Sequence, residues 1–424
     1  MKLLWISNAP WAPSGYGSQT RQVCSRIIDA GYDIEFVAND GTRGDQLWNG
    51  KLVRGSSGAD RYSRDSIRED YERSGASHVI SLYDQWVFTA GWKDPFEGMR
   101  NVAGWVPIDH FPVPQSLYGW LSNGHTAIAM SQFGRDRLNE LLVGFRTVGR
   151  PNFDIRYAPH AVDDVFRPVE TDFREVLDVP PDAFLVGIVA ANTDTLNVDR
   201  KGFSQMACAL AEFMGRHSDA YLYLHSIQVS YGSMDLPALL AATHMPDDRI
   251  RWADQYALKK HSVTDEHMAQ IYSSLDLLMA TSRGEGFGLP VLEAQACGVP
   301  VIVSNWTAQA ELVGEPWRAS ERGNQEHPSG WLVRCDPQWD PNQGAFWGNP
   351  SIDASIVALE RAYAEWQKGN WQNRRDAAVA KAANWKADKV FDQHWRPILA
   401  EMETGQQPVP MNRQQRRALA KAGR

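Results

Sequence analysis

The stretch Gly284–Pro300 reads GEGFGLPVLEAQACGVP, and the rest of the chain is organised around it. It opens on acidic, glycine-rich turns and runs into a short apolar segment. Glu285 and Glu293 have seven residues between them. Gly286 and Gly288 carry no Cβ, so their backbone N–H groups admit close approach. Pro290 suits the first turn of a helix, where its missing N–H costs nothing. A helix is expected over about Pro290–Cys297, stopping at Gly298. Its N-terminus offers unpaired donors and a partial positive charge, which suits an anion. The strand VPVIVS (Val299–Ser304) follows at once. Taken alone, the same pattern also describes a turn capping an α/β unit with both glutamates solvated.

The segments before it repeat one theme. KLLWIS (Lys2–Ser7) is an apolar run of strand length. The loop NAPWAPSGYGSQT follows, then a helical pattern with Val23, Ile27 and Ile28 on one face, then YDIEFVAN (Tyr32–Asn39) as a strand. Strand, glycine-bearing loop, helix, strand opens a doubly wound α/β domain, where ligands bind beyond the carboxyl ends of the strands. Gly15 and Gly17 in that loop either shape the turn or bring N–H groups to a ligand. HVISLYD (His78–Asp84), NVAGWVPID (Asn101–Asp109) and TAIAMS (Thr126–Ser131) read as further strands. Asp109 and His110 stand at a strand's carboxyl end, either to contact ligand or to satisfy a turn.

The second half restarts the pattern. FLVGIVAAN is a buried strand, TDTLNVDRKG a loop, and Phe203, Ala207, Leu210, Ala211 and Met214 share a helix face. AYLYLHS and DDRIRWADQ supply strands, and MAQIYSSLDLLMATS a helix and then a strand. GWLVRCD (Gly330–Asp336) is a late strand, SIDASIVALERAYAEWQ an amphipathic helix, and a last helix is expected around Asp388–Glu403. The segment GQQPVPMNRQQRRALAKAGR has five basic residues and no acidic one. It is either a solvated tail or an anchor to an acidic partner.

A chain of 424 residues exceeds one ordinary core. With 43% hydrophobic and 22% charged residues its body is expected to be globular. A net charge of −8 argues against general polyanion binding. The longest apolar runs are too short to cross a bilayer, and no signal peptide is visible. The four scattered cysteines form no C-x-x-C pair and read as reduced thiols, so a cytoplasmic location is expected. Most of the 17 tryptophans are expected in the core or at a domain interface.

The Gly284–Pro300 string resembles the E-x7-E donor-site motif of retaining GT-B glycosyltransferases, the group 1 glycosyl transferases that use nucleotide sugars. RYAPHAVDDVFRP (Arg156–Pro168) resembles the segment where such chains leave their first domain. The resemblance implies an α/β, GT-B fold: two Rossmann-like domains facing across a cleft, with the last helix crossing back. The implied division is residues 1–162 on the acceptor side, 163–387 for the nucleotide sugar, 388–404 as the crossing helix, and 405–424 as the tail.

The resemblance also implies roles. Glu293 would hold the ribose. Glu285, Gly286, Phe287, Gly288 and Leu289 would face the donor sugar and phosphates, with Gly15, Gly17 and Asn192 nearby. Lys201 matches a lysine that neutralises the diphosphate. The usual arginine falls near Ala191–Asn192 and is missing, with Arg200 as the neighbouring substitute. His110 would orient the sugar, and Asp109, Trp11 and Tyr16 would lie on the acceptor side. No Asp-x-Asp pair is present, so no metal and no cofactor are expected. The donor would be a UDP- or GDP-hexose. The basic tail resembles those of proteins encoded by actinobacterial phages. It suggests a virion protein or modified DNA as acceptor, beside a cell-envelope glycan or lipid. The competing readings are a GT-B epimerase or phosphorylase, and a non-catalytic sugar-nucleotide-binding or particle-associated protein.

Overall fold

The computed structural model describes residues 1–55, 60, 62, 64–89, 94–147, 155–192, 199–318 and 323–404. Eight strands form the first sheet: β1 (Lys2–Ser7), β2 (Asp33–Ala38), β3 (Gln46–Trp48), β4 (Lys51–Arg54), β5 (His78–Leu82), β6 (Val102–Val106), β7 (Thr126–Ala129) and β8 (Arg156–Tyr157). Their order is β3-β4-β2-β1-β5-β6-β7-β8, and all pairs are parallel except β3 with β4. Seven form the second: β9 (Phe184–Val189), β10 (Ala220–His225), β11 (Ile250–Trp252), β12 (Leu277–Ala280), β13 (Val301–Ser304), β14 (Gln325–His327) and β15 (Gly330–Val333). Their order is β11-β10-β9-β12-β13-β15-β14. The central strands β1, β5, β6, β9 and β12 are nearly all apolar and buried, as helices on both faces of a parallel sheet require.

Both sheets reverse direction at one point. In the first, β1 lies between β2 and β5, and in the second β9 lies between β10 and β12. Ligands of open α/β sheets bind outside the carboxyl ends of the strands at such reversals. The loops after β1, β5 and β6 therefore face a crevice, as do those after β9 and β12. The two crevices meet: a Cβ added to Gly284 would lie 2.1 Å from the Asp109 carbonyl oxygen, and one on Gly286 would lie 2.5 Å from Pro107 Cβ. Only glycine lets the second domain's loop approach the first this closely.

The chain then crosses back. Residues Ala387–Val390, Phe391–Trp395 and Arg396–Thr404 form a continuous helical run with a π-helical turn in its middle. Trp395 is fully buried, with its ring 5.7 Å from Trp5 and 4.8 Å from Trp105 of the first sheet. Arg156 closes on Glu401 at 2.6 Å. This is the GT-B architecture that the resemblance implied.

Among the elements not expected from the sequence, one lies apart from both large sheets. After β15 the chain forms a separate two-stranded hairpin, β16 (Cys335–Asp340) and β17 (Ala345–Pro350). The expected strand Gly330–Asp336 is thus two strands in two sheets. The loop residues 193–198 and the basic tail 405–424 lie outside the described residues.

Candidate active site

The anchor of the site is the helix Leu289–Ala296, one residue earlier than its expected start. Gly288 precedes it at φ 110°, a left-handed conformation that L side chains rarely adopt. The loop before the helix places Glu285 between two cations. Lys201 Nζ lies 2.5 Å from Glu285 Oε1, and Arg200 Nη1 lies 3.2 Å from Glu285 Oε2. Arg200 also donates to the Gly284 carbonyl at 3.2 Å, and its own carbonyl accepts from Arg283 N at 2.8 Å. The Glu285 amide donates to Thr307 Oγ1 at 3.0 Å. Burial pushes the Glu285 carboxyl up, but the Lys201 and Arg200 charges overcome this and hold it below the usual carboxylate range. Burial and the Arg200 charge lower the Lys201 amine despite Glu285.

Glu293 sits about one turn along the same helix. Its Oε2 accepts from the Tyr272 hydroxyl at 2.9 Å. Burial pushes its carboxyl up to about 7, with the Asp265 charge acting in the same sense. Glu293 lines a cavity of about 630 Å³ with Tyr272, Leu289, His225, Gly15 and Arg21. Arg21 comes from the first domain and pairs with Asp265 of the second, so both domains enclose this space.

The opposite wall belongs to the first domain. Asp109 Oδ1 lies 2.7 Å from His110 Nδ1, which keeps the buried carboxyl low against the upward push of burial. The Tyr16 hydroxyl donates to Asp84 Oδ2 at 3.0 Å. Burial, with the charge of Asp109, pushes the Asp84 carboxyl up to about 6. Arg200 of the second domain acts on both carboxyls and lowers them. The carboxylates Asp84 and Asp109 thus share one neighbourhood with Tyr16, His110 and Arg200.

Three expected placements change. Trp11 lines the cavity with Glu293 rather than the acceptor-side wall. The Gly17 amide donates to Ser14 Oγ at 3.1 Å, capping the helix Gly15–Asp29, so it is not available to a phosphate. Asn192 is buried, and its side chain is consumed by turn-building: it donates to the Ile227 and Met234 carbonyls at 2.9 and 2.8 Å and accepts from Met234 N at 3.1 Å. Phe287 is also buried, 5.3 Å from the His160 ring. Asp84, Tyr272 and Trp347 were missed. Asp84 left a signal, since HVISLYD ends in a carboxylate just as NVAGWVPID does.

With this geometry in place, the chain can be set beside known proteins. Residues 207–334 match the family model described as Glycosyl transferases group 1. The two sheets, the facing switch points and the returning helix define the GT-B class of glycosyltransferase folds. An O-antigen chain mannosyltransferase B from Escherichia coli is 29% identical over 113 residues, covering 26% of this chain and 26% of that protein. The chain therefore aligns with about a quarter of that relative's length. A sucrose-phosphate synthase from Thermosynechococcus elongatus shares the fold with a TM-score of 0.66 at 16% identity, over 94% of this chain and 100% of that one. The Anabaena protein HepE, in complex with UDP and glucose, does so with a TM-score of 0.65 at 15% identity, over 94% and 99%.

Proposed function

We propose that this chain is a retaining glycosyltransferase that moves a hexose from a UDP- or GDP-hexose to an acceptor hydroxyl, without a metal ion. The observation that carries this reading is the meeting of Lys201 and Arg200 on Glu285, beside the N-terminus of a helix that also carries the cavity-lining Glu293. Fixed cations beside a helix N-terminus suit a departing diphosphate, and such preorganised groups are often the largest catalytic term. In the proposed complex the diphosphate shares Lys201 and Arg200 with Glu285. The carboxylate of Glu285 then turns to the sugar hydroxyls. Glu293 accepts hydrogen bonds from the ribose. His110, held through Nδ1 by Asp109, presents its other edge to the sugar. The donor phosphate takes the acceptor proton as the new bond forms on the face the leaving group vacates. No strong base is then required, and the anomeric configuration is kept.

The division of the chain at residue 162, with the crossing helix from 388, belongs to this proposal. So does a cytoplasmic location, which the free thiols Cys24, Cys208, Cys297 and Cys335 favour. No helix among the described residues is long and apolar enough to cross a membrane. The acceptor is a virion protein or modified DNA if the chain is phage-encoded, or else a cell-envelope glycan or lipid.

The test is a screen of UDP-, GDP-, ADP- and dTDP-sugars. UDP-glucose comes first because the Anabaena neighbour holds UDP and glucose, and GDP-mannose second because of the mannosyltransferase relative. The bound donor should raise stability by about 2.7 kcal/mol at a hundredfold excess over Kd, and the protein should slowly release nucleoside diphosphate. Stabilisation without release would identify a binding protein. Release should survive EDTA, and loss restored by manganese or magnesium would overturn the metal-free mechanism.

A further inference from the structure

The β16–β17 hairpin belongs to neither large sheet, yet it touches both walls of the site. On the first domain's side, Phe346 N donates to the Phe111 carbonyl at 2.6 Å, and the two residues form an antiparallel bridge. The Phe111 ring lies 5.2 Å from Trp306, 5.3 Å from Trp317 and 5.7 Å from Phe346, all of the second domain. On the donor side, Gly348 N donates to the Arg283 carbonyl at 2.8 Å, and Arg283 Nη2 donates to Gln338 Oε1 at 2.8 Å. Trp347 stands between these two attachments. Its ring covers His110 at 5.1 Å with a 32° interplanar angle, and its six-membered ring lies where Gly284 has no side chain. The indole N–H is buried without a partner among the described residues.

His110 is thus gripped from both domains. Asp109 of its own domain holds Nδ1, and Trp347 of the other covers the ring. We propose that Trp347 is a positioning residue that sets the His110 imidazole when the domains meet, so that the sugar-facing edge is in place only in the closed protein. This rests on the glycosyltransferase reading of the same site. The hairpin would then couple domain closure to the orientation of the transferred sugar. A misplacement of about 1 Å at a reacting centre can lower turnover about a hundredfold.

The test uses the full chain with Trp347→Ala, Trp347→Phe, His110→Ala and the double variants, each checked for an unchanged melting profile. The readouts are kcat, donor KM and the Kd of the nucleoside diphosphate. We expect Trp347→Ala to lower kcat about a hundredfold with the nucleotide Kd within about twofold. Trp347→Phe, which restores a flat ring and folds more readily, should recover most of the loss. Combining Trp347→Ala with His110→Ala should cost no more than His110→Ala alone, since both remove one function. Multiplicative losses, or an unchanged kcat in Trp347→Ala, would overturn the proposal. A second readout is independent of turnover: the Cε1–H resonance of His110, observed with labelled histidine, should move in both Trp347 variants. If no donor is consumed by the wild type, the enzymatic reading fails. An unmoved resonance overturns the positioning role by itself.

Discussion

The two walls of the cleft are built in different ways. The second-domain wall draws Arg200, Lys201, Glu285 and Glu293 from two loops and one helix of a single sheet, and its charges are already paired at 2.5 and 3.2 Å. The first-domain wall gathers Tyr16, Asp84, Asp109 and His110 from one helix and the loops after two strands. Burial and the Asp109 charge raise its Asp84 carboxyl to about 6. It is finished by Trp347 and Arg200 from the other domain. Under the proposed function, one wall is an anion site built within one domain, and the other, complete only when the domains touch, selects the second substrate.

The largest effect that can test this contrast is at the leaving group. Lys201→Ala should lower kcat by about 10²–10³, the range for loss of one preorganised donor, with a smaller change in acceptor KM. A reduced acceptor affinity with kcat preserved would show that the second-domain wall does not act on the diphosphate.

Glu293→Ala should come next. A hydrogen bond to a charged group contributes about 1.5–3 kcal/mol, so nucleoside diphosphate Kd should rise roughly ten- to hundredfold. An unchanged Kd would remove Glu293 from the nucleotide site. The wild-type affinity should also rise between pH 6 and 8, because only the ionised form of a carboxyl held near 7 accepts from both ribose hydroxyls. Proton release on binding, read by calorimetry in two buffers, checks this.

The same titration has a stability sign. Burial raises Glu293 to about 7 and Glu311 to about 8, the latter against hydrogen bonds from Gln132 and Phe133 of the facing domain. The folded protein therefore holds protons that the unfolded chain, titrating near its ordinary carboxyl value, has given up. That stability is present in full below the unfolded value, is lost progressively as pH rises above it, and is gone once pH has passed 7 to 8. Melting temperature should fall over that window, and Glu311→Gln should flatten the fall.

Smaller effects belong to the first-domain wall. Asp84→Asn should raise acceptor KM about tenfold, the lower end for one charge-assisted hydrogen bond, and should lower donor turnover far less. Smallest of all should be deletion of residues 405–424. Transfer to a small acceptor should not change, whereas transfer to a macromolecular acceptor should slow, and added salt should mimic the deletion by screening. Equal rates at low and high salt would leave the tail as a solvated appendage.

The two walls also differed in how far the sequence exposed them. The second-domain wall is legible because its chemistry is contiguous: Gly286, Gly288 and Pro290 dictate the turn and helix start, and the glutamates follow at fixed offsets. Lys201 could be aligned because it closes a short loop before a helix. The first-domain wall is read only in part. Asp109 and His110 end a strand visibly, but their meeting with Asp84 needs β5 and β6 to be neighbours. Trp347 lies in a stretch, WDPNQGAFWGNP, whose Pro-Asn-Gln-Gly turn between aromatics carries a hairpin signal. Nothing local in it indicates that the hairpin docks on Phe111.

By itself the sequence determined the alternation of strands and helices, the glycine-rich turn before Leu289, and the identity of the cations and carboxylates near it. These follow from backbone sterics and local periodicity, which neighbouring residues settle among themselves. Tertiary structure alone decided that Asn192 is spent on a turn, that Trp11 faces the Glu293 cavity, that Asp84 and Glu293 are held near neutrality, and that Trp347 covers His110. Each of these depends on what folding brings within a few ångströms, inside one domain for Asn192 and across both for Trp347. Burial and pairing across that distance set proton affinity and hydrogen-bond availability, and no window of sequence contains the partners.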